Sequence, residues 1–496
     1  MPDTADTAKI TTYAYGVPHA SFFVSMDMPR AVGMITTIGL ALASMMLGSM
    51  IAAGLVAIAG ALLVFLRPAG LPVVSWFGPF LSYLGRPRSD RDPHPLGAAA
   101  PDFGDGDASP SAETPRRSPR KRKNRARWPA PLGILDLTTE TVGGHEAAVC
   151  WSGSKRRPLA SVAWLSELPQ PFGLLDFSEQ DRLLAGWGRV LAGTAAQGSA
   201  VTKVSVIQRQ VSDLSTEATS WIEAHPSDVE HSMRADYMAM IEQIGAAAAR
   251  SEVLVGLTCA LSERRNTDDL LLEAEQFQRR METAKFTMEP LSYGRFGAYI
   301  SAVLNGTALL GAEDADPEET GPLAWEEAWQ SLRLDGRLHH HYVVSPWPRI
   351  EVAASYLEPL LTTPIPNAVR TVAIHWEPVA TDVAMRRARS GVAVAELNLN
   401  HKHDKGAVIG SADKRVHEQA QRRDALLTAG HAEHLLSAFC SVSVAEDHDA
   451  ERARRSLVYA ATTSHLGLRP AYGTQAQAFA AMLPLGMVRY PARLLG

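Results

Sequence analysis

The sequence predicts an α+β protein with an N-terminal transmembrane helical hairpin and a cytoplasmic α/β body. Three observations carry this prediction. No charged residue lies between Arg30 and Arg67, a run of 36 positions. Residues 88–130 are rich in Pro, Gly, Ala, Asp and Arg, a composition that punctuates rather than packs. From residue 131 onward, strand-like and helix-like stretches alternate. At 496 residues the chain is too long for one ordinary core, and 46% hydrophobic with 20% charged residues is a composition that folds.

Residues 1–30 form the cytoplasmic N-terminal segment, and residues 31–66 the transmembrane hairpin. As one straight helix the apolar run would measure about 54 Å, well beyond a hydrocarbon core of about 30 Å. A break near Gly48-Ser49 gives two passes of about 17 residues, so a tight hairpin is favoured over a single long tilted helix. A signal peptide does not fit, because its apolar core spans about 7 to 15 residues.

Residues 67–87 are the interfacial segment. In LPVVSWFGPFLSYLG the rings of Trp76, Phe77, Phe80 and Tyr83 suit a membrane interface; a turn-rich loop packed on the body is the alternative. Arg67, Arg86, Arg88 and Arg91 follow the second pass, and the positive-inside bias then puts both termini in the cytoplasm of a two-pass plasma-membrane protein.

Residues 88–130 read as a disordered charged linker, acidic first and basic later. Its basic end, RRSPRKRKNRARWPA, places eight Arg and Lys in twelve positions, 116–127. Residues 1–130 carry 14 basic and 9 acidic side chains, so of the formal −5 the rest of the chain holds −10. A body that acidic repels a phosphate backbone, which disfavours direct nucleic-acid binding. The run Arg116–Arg127 can touch anionic lipid, worth about 1 kcal/mol per nearby cation, with a partner dock or a DNA contact as alternatives. Three cysteines, Cys150, Cys259 and Cys440, are odd in number and far apart, which fits a reducing compartment.

The body divides into a first α/β subdomain, 131–310, and a second, 311–496. HEAAVCWS and LASVAWLS flank a turn at Gly153–Pro158 and read as a hairpin. FSEQDRLLAGWGRVLAGTAA is a helix with Ser178 as N-cap, and AVTKVSVIQR a strand ending at Arg209. Two helices are expected at 214–223 and 227–249, a strand in SEVLVGLTCAL and a helix in DDLLLEAEQFQRRMETA. The second subdomain repeats the theme. HYVVSPWPRIEV and AVRTVAIHWEPV are strands, residues 380–430 are largely helical, and strand, helix and strand follow to LGLRPAY. That order is consistent with two ferredoxin-like halves with added helices.

No catalytic signature emerges. There is no GxxxxGK[ST] loop to cradle phosphate and no G-x-S-x-G nucleophile elbow. VHEQAQ begins like a zinc-protease helix, but Gln421 stands where the second His is needed. His431 and His434 have no evident third ligand. In LHHHYVV, His339 and His341 fall on one side of a strand and His340 on the other, awkward for a shared ion. Trp325, Trp329 and Trp347 suit core packing. Catalytic, cofactor-binding and metal-binding residues are therefore expected to be none, and the protein not an enzyme.

The C-terminal stretch FCSVSVAEDHDAERARRSLVYAATTSHLGLRPAYGTQAQAFAAMLPLG resembles the segment closing the N-terminal domain of type IV secretion and conjugation ATPases of the CagE/TrbE class. DFSEQDRLLAGWGRVL and VSVIQR, ending at Arg209, resemble that domain's early strand-helix-strand unit. WFGPFLSYLGRPR resembles a PrgI-type membrane segment. With WPRIEV and LPLG, the whole is similar to an actinobacterial integral membrane family that has also been grouped with EccE of type VII secretion. Ten residues follow LPLG (483–486), so the expectation is a body without its own motor. The resemblance implies a non-catalytic, membrane-anchored scaffold that docks a separate P-loop ATPase and channel subunits and is compatible with homo-oligomers; an EccE-like translocon subunit is the alternative.

Overall fold

A computed structural model describes residues 28–46, 49–65, 80, 94–95, 128, 132–133, 135–154, 157–167, 172–211, 235–240, 249–263, 266–348, 352–353, 355–406, 408, 410–445 and 450–486. The helices expected at 214–223 and 227–249 lie largely outside the described residues, although 235–240 is helical. So do residues 1–27, Trp76, Phe77, Tyr83 and the basic run 116–127.

The apolar run folds as α1 (Met28–Met46) and α2 (Met50–Phe65). The two pack so closely that a Cβ at Gly60 would fall 2.7 Å from Thr37 Cβ. The expected transmembrane hairpin is corrected here. Among the described residues no helix is long and apolar enough to cross a membrane. The break at Ser49 leaves α2 with 16 residues, about 24 Å against about 30 Å of hydrocarbon, and α1 holds Pro29 and Arg30 in its first turn. The plasma-membrane placement, two passes and cytoplasmic termini drawn from that hairpin fall with it.

The body is built on thirteen strands in one sheet, and every pairing described is antiparallel. The strands are β1 (His94–Pro95), β2 (Asp136–Val142), β3 (His145–Ser154), β4 (Arg157–Glu167), β5 (Val201–Val211), β6 (Arg250–Ala260), β7 (Thr287–Pro290), β8 (Ala324–Glu327), β9 (Leu332–Leu334), β10 (Arg337–Val344), β11 (Ala368–Pro378), β12 (His434–Ala445) and β13 (Leu468–Pro470). Their order is β1-β8-β9-β10-β12-β11-β5-β6-β4-β3-β2, with β13 on β10 and β7 on β4. The two expected ferredoxin-like halves are thereby corrected to one continuous sheet. Its joint is β11 on β5, where Val369 to Trp376 pair with Val211 to Val204. β1 sets His94 and Pro95 against Trp325 and Ala324, so the stretch read as an unbroken linker contributes a short edge strand.

Helices cover both faces. The α helices of the body are α3 (Phe177–Thr194), α4 (Asp268–Thr283), α5 (Tyr293–Asn305), α6 (Glu358–Thr362), α7 (Thr381–Asp404), α8 (Ser411–Thr428), α9 (Ala450–Thr463) and α10 (Gln475–Ala481). On one face α5, α10 and the residues after α10 bury Ile207, Leu254, Ala373 and Phe439. On the other, α3 and α4 cover Val149, Trp164 and Leu257 at one end, and α6 and α9 cover Val372, Cys440 and Val442 at the other. Alternate residues of each strand thus enter opposite cores, which explains the near-continuous burial of β4, β5, β11 and β12.

Local chemistry sets the element ends. Gly143 and Gly144, at φ 58° and 86°, join Val142 to its partner His145 in the two-residue turn that favours positive φ. α3 is capped by Asp176, whose carboxylate accepts the Glu179 N–H at 2.8 Å. The expected cap, Ser178, instead donates its hydroxyl to Asp176 at 2.8 Å.

Candidate functional site

The C-terminal stretch 439–486 ends as a strap across the sheet face shared with α5. Gln475, the first residue of α10, is fully buried. Its Oε1 accepts the His341 backbone N–H at 3.0 Å, and its amide nitrogen donates to Ala471 O at 2.9 Å. The Glu327 carboxylate accepts the Ala476 N–H at 3.1 Å, placing an anion at the helix start, where the peptide dipoles favour it. Phe479 presents its ring to the rings of His339 and His341, 5.7 and 5.8 Å away at near-right angles, and stacks on Trp128 at 6.1 Å. Trp128 is 2% exposed, so the basic stretch ends in a core residue.

LPLG closes the strap. Leu483 and Leu485 are buried in the same core. A Cβ at Gly256 would lie 3.8 Å from Pro484 Cβ, ordinary packing contact. Gly486 sits at φ 63°, and a Cβ there would crowd Thr258 and lie 3.0 Å from Ser161 Cβ. Only glycine meets both demands.

The same face holds a buried ion pair. Arg209 donates to Glu252 at 2.8 Å, with side chains 1% and 5% exposed. Its second amino group donates to Ala302 O and Thr307 O at 3.1 and 3.0 Å, and the guanidinium lies 5.5 Å from the Tyr299 ring centre. Glu252 also accepts the Leu309 N–H. Arg209, the terminal residue of VSVIQR, thus ties the end of α5 and its exit loop to the sheet.

Of the titratable groups weighed in the sequence, the three histidines of β10 and the three cysteines are enclosed, whereas His431 is exposed. His339 and His341 share one side of β10 with parallel rings 5.9 Å apart, while His340 faces the opposite side and meets Gln330 O at 3.0 Å. Burial holds the His339 imidazole well below its ordinary pKa, with the neighbouring His341, Arg337, His340 and Arg209 adding to the effect. Burial pulls His341 down to about 3, opposed by its Gln475 hydrogen bond. His375 bonds the Ser205 hydroxyl at 2.8 Å, and burial again lowers its pKa. His434 contacts Thr194 Oγ1 at 3.3 Å, and burial brings it to about 4. All three cysteines are buried and unbonded to one another; burial pushes the Cys150 and Cys440 thiols up to about 12. Among the described residues no group of three or more His, Cys, Asp or Glu could hold a metal ion. His417, Glu418 and Gln421 of VHEQAQ lie on α8, with both Glu418 and Gln421 exposed.

What stands open is the antiparallel pair α7 and α8, inserted between β11 and β12. α7 has 24 residues, about 36 Å. Its buried residues are only Ala384, Ala388 and Ala395, and α8 is attached mainly through Leu427. Small residues at this spacing let the two helices approach closely. Lys402 and Asp413 bond across the turn at 2.7 Å, and Arg423 grips both Glu433 oxygens at 2.5 and 2.7 Å at the base. An open groove of about 590 Å³ runs between Val392 on one helix and Gln421, Asp424, Ala425, Thr428 and Ala429 on the other side. The sequence reading noted a long polar helical segment here but assigned it no role; the signal available was Val394 and Leu397 standing among charged neighbours away from the alanine seam.

No protein-family model matches the chain, and no curated protein matches it.

Proposed function

We propose that the protein is a non-catalytic scaffold of a conjugation-like transport machine, holding a separate P-loop ATPase and linking it to channel subunits. One observation carries this role. The side chains best suited to chemistry, the three cysteines and His339, His341 and His375, are buried in the sheet's two cores, whereas the paired helices α7 and α8 stand outward with apolar and cationic residues in solvent. Groups closed into a densely packed core have no path to a substrate, and here they serve packing. An exposed helical pair on a rigid sheet serves binding.

The resemblance of residues 439–486 to the end of conjugation-ATPase N-terminal domains adds the kind of partner. In those ATPases this segment adjoins a motor; here the strap anchors on Gln475, Phe479 and LPLG, and the chain has no phosphate-cradling GxxxxGK[ST] loop. Nucleotide hydrolysis therefore belongs to the partner.

Affinity capture of the tagged full-length chain from its native cells, with mass spectrometry of what co-purifies, tests this role. Recovery of a P-loop ATPase with transport-channel proteins is the expected result. Recovery of type VII core components in place of a conjugation-type ATPase, or ATP turnover by the purified chain alone, would overturn it.

A further inference from the structure

The α7–α8 pair differs in charge from the body that carries it. Residues 381–428 hold nine Lys and Arg against six Asp and Glu, in a chain of net −5. Opposite the buried seam of Ala384, Ala388 and Ala395, the helical period aligns Arg386, Ser390, Val394, Leu397 and His401. All five are exposed, Val394 at 44% and Leu397 at 67%. Arg387 and Arg389 flank them and are exposed as well. Arg386 meets Asp382 at 2.8 Å, but a pair this exposed contributes little and leaves the arginine available to a partner.

A complementary surface exists on the same chain. The segment between α5 and β8 exposes Glu313, Asp314, Asp316 and Glu319, and beside them stand Leu310 at 50% and Leu323 at 64% exposure. Arg295 reaches Asp314 at 3.9 Å. Each surface therefore offers apolar side chains framed by charge, cationic on the helical pair and anionic on the loop. Such matching accelerates encounter and sets register, while two cationic arms repel each other.

We propose that the α7–α8 pair docks a second copy of this chain, with the Arg386 to His401 stripe seated on that copy's acidic 310–323 segment. Two reciprocal contacts close a dimer; a non-reciprocal contact gives a ring or a chain of copies. Self-association of this kind needs no ATPase and stands independently of the scaffold role.

Sedimentation equilibrium of the purified full-length chain tests it. Association is expected at about 50 mM salt and should weaken about tenfold at about 500 mM, where screening shortens the reach of charge. The triple variant Arg386→Glu, Arg387→Glu, Arg389→Glu should lose the association, as should Glu313→Lys, Asp314→Lys, Glu319→Lys. Mixed together, the two variants should associate again, since the reversed arm then matches the reversed loop; unchanged circular dichroism confirms that each is folded. A chain that is monomeric at low salt, an association indifferent to both reversals, or loss of ATPase or nucleic-acid capture with the oligomeric state unchanged would overturn the proposal.

Discussion

Gln475 and His341 are bonded at two levels. Gln475 Oε1 accepts the His341 backbone N–H at 3.0 Å and lies 3.1 Å from the same residue's Nδ1. One side chain thus completes the β10 backbone and orients an imidazole beneath α10, at the point where the strap enters the core. Replacing Gln475 with Leu keeps the volume but strands the His341 amide. An unpaired buried donor costs about 1 to 3 kcal/mol, which urea unfolding of Gln475→Leu should register as a lower midpoint at unchanged slope.

Phe479 is the apolar anchor of the strap, touching Trp128, His339 and His341. Phe479→Ala removes these contacts and opens a cavity, a change that costs about 3 to 5 kcal/mol. Phe479→Leu, which refills much of the space, should recover part of that loss; equal losses for the two variants would show that packing is not what fixes the strap.

Acid should loosen the same region. The folded pKa values of His339, His341 and His375 are lowered chiefly by burial, so below the ordinary value of about 6.5 the unfolded chain binds protons that the folded chain refuses. The stability contributed by their burial is fully present above that value. It is lost as pH falls, down to about 3 for His341. The urea midpoint should therefore drop between about pH 7.5 and about pH 5, and His341→Leu should flatten the slope.

The Arg209–Glu252 pair should behave as a buried unit. Removing one partner, as in Glu252→Gln or Arg209→Met, strands a buried charge or leaves its partners unmet, at a cost of about 3 to 5 kcal/mol. The double variant should cost less than the sum of the single ones, a coupling that a double-mutant cycle reads directly.

Cys150, Cys259 and Cys440 are each buried, with thiol pKa values raised chiefly by burial. Ellman's reagent should label none of them in the folded chain at neutral pH and all three after unfolding, because the thiolate is the reacting form.

Much of the body was legible from local pattern. The turn at Gly153–Pro158 between HEAAVCWS and LASVAWLS predicted the hairpin of β3 and β4, and FSEQDRLLAGWGRVLAGTAA and DDLLLEAEQFQRRMETA, read as helices, form α3 and α4. Long-range pairing was not legible: nothing near Val204–Val211 signals that it meets Val369–Trp376, more than 150 positions away, and so two separate halves were expected where one sheet exists. The apolar run 31–66 misled not over the break, which was expected near Gly48-Ser49, but over what each half can do: α2 has only 16 residues, and α1 holds Pro29 and Arg30 in its first turn. β2 was missed because DLTTETV is polar, although Gly143-Gly144 after it marks a hairpin. Trp128 was read with its basic neighbours and proved to belong to the core. Of the candidate site, the histidine faces of β10 followed from period-two geometry. The outward stripe of α7 went unread, since a polar helix looks alike from sequence whether it rests in solvent or receives a partner.

The scaffold role turns on whether this chain binds a separate P-loop ATPase. Size-exclusion chromatography with light scattering, on the purified full-length chain mixed with the ATPase captured from its native cells, measures this most directly when ATP turnover is followed across the fractions. Co-elution of both chains at a defined mass ratio, with turnover in that peak and none in the scaffold-only peak, is the predicted result. Separate elution, or turnover in fractions holding this chain alone, would contradict the account.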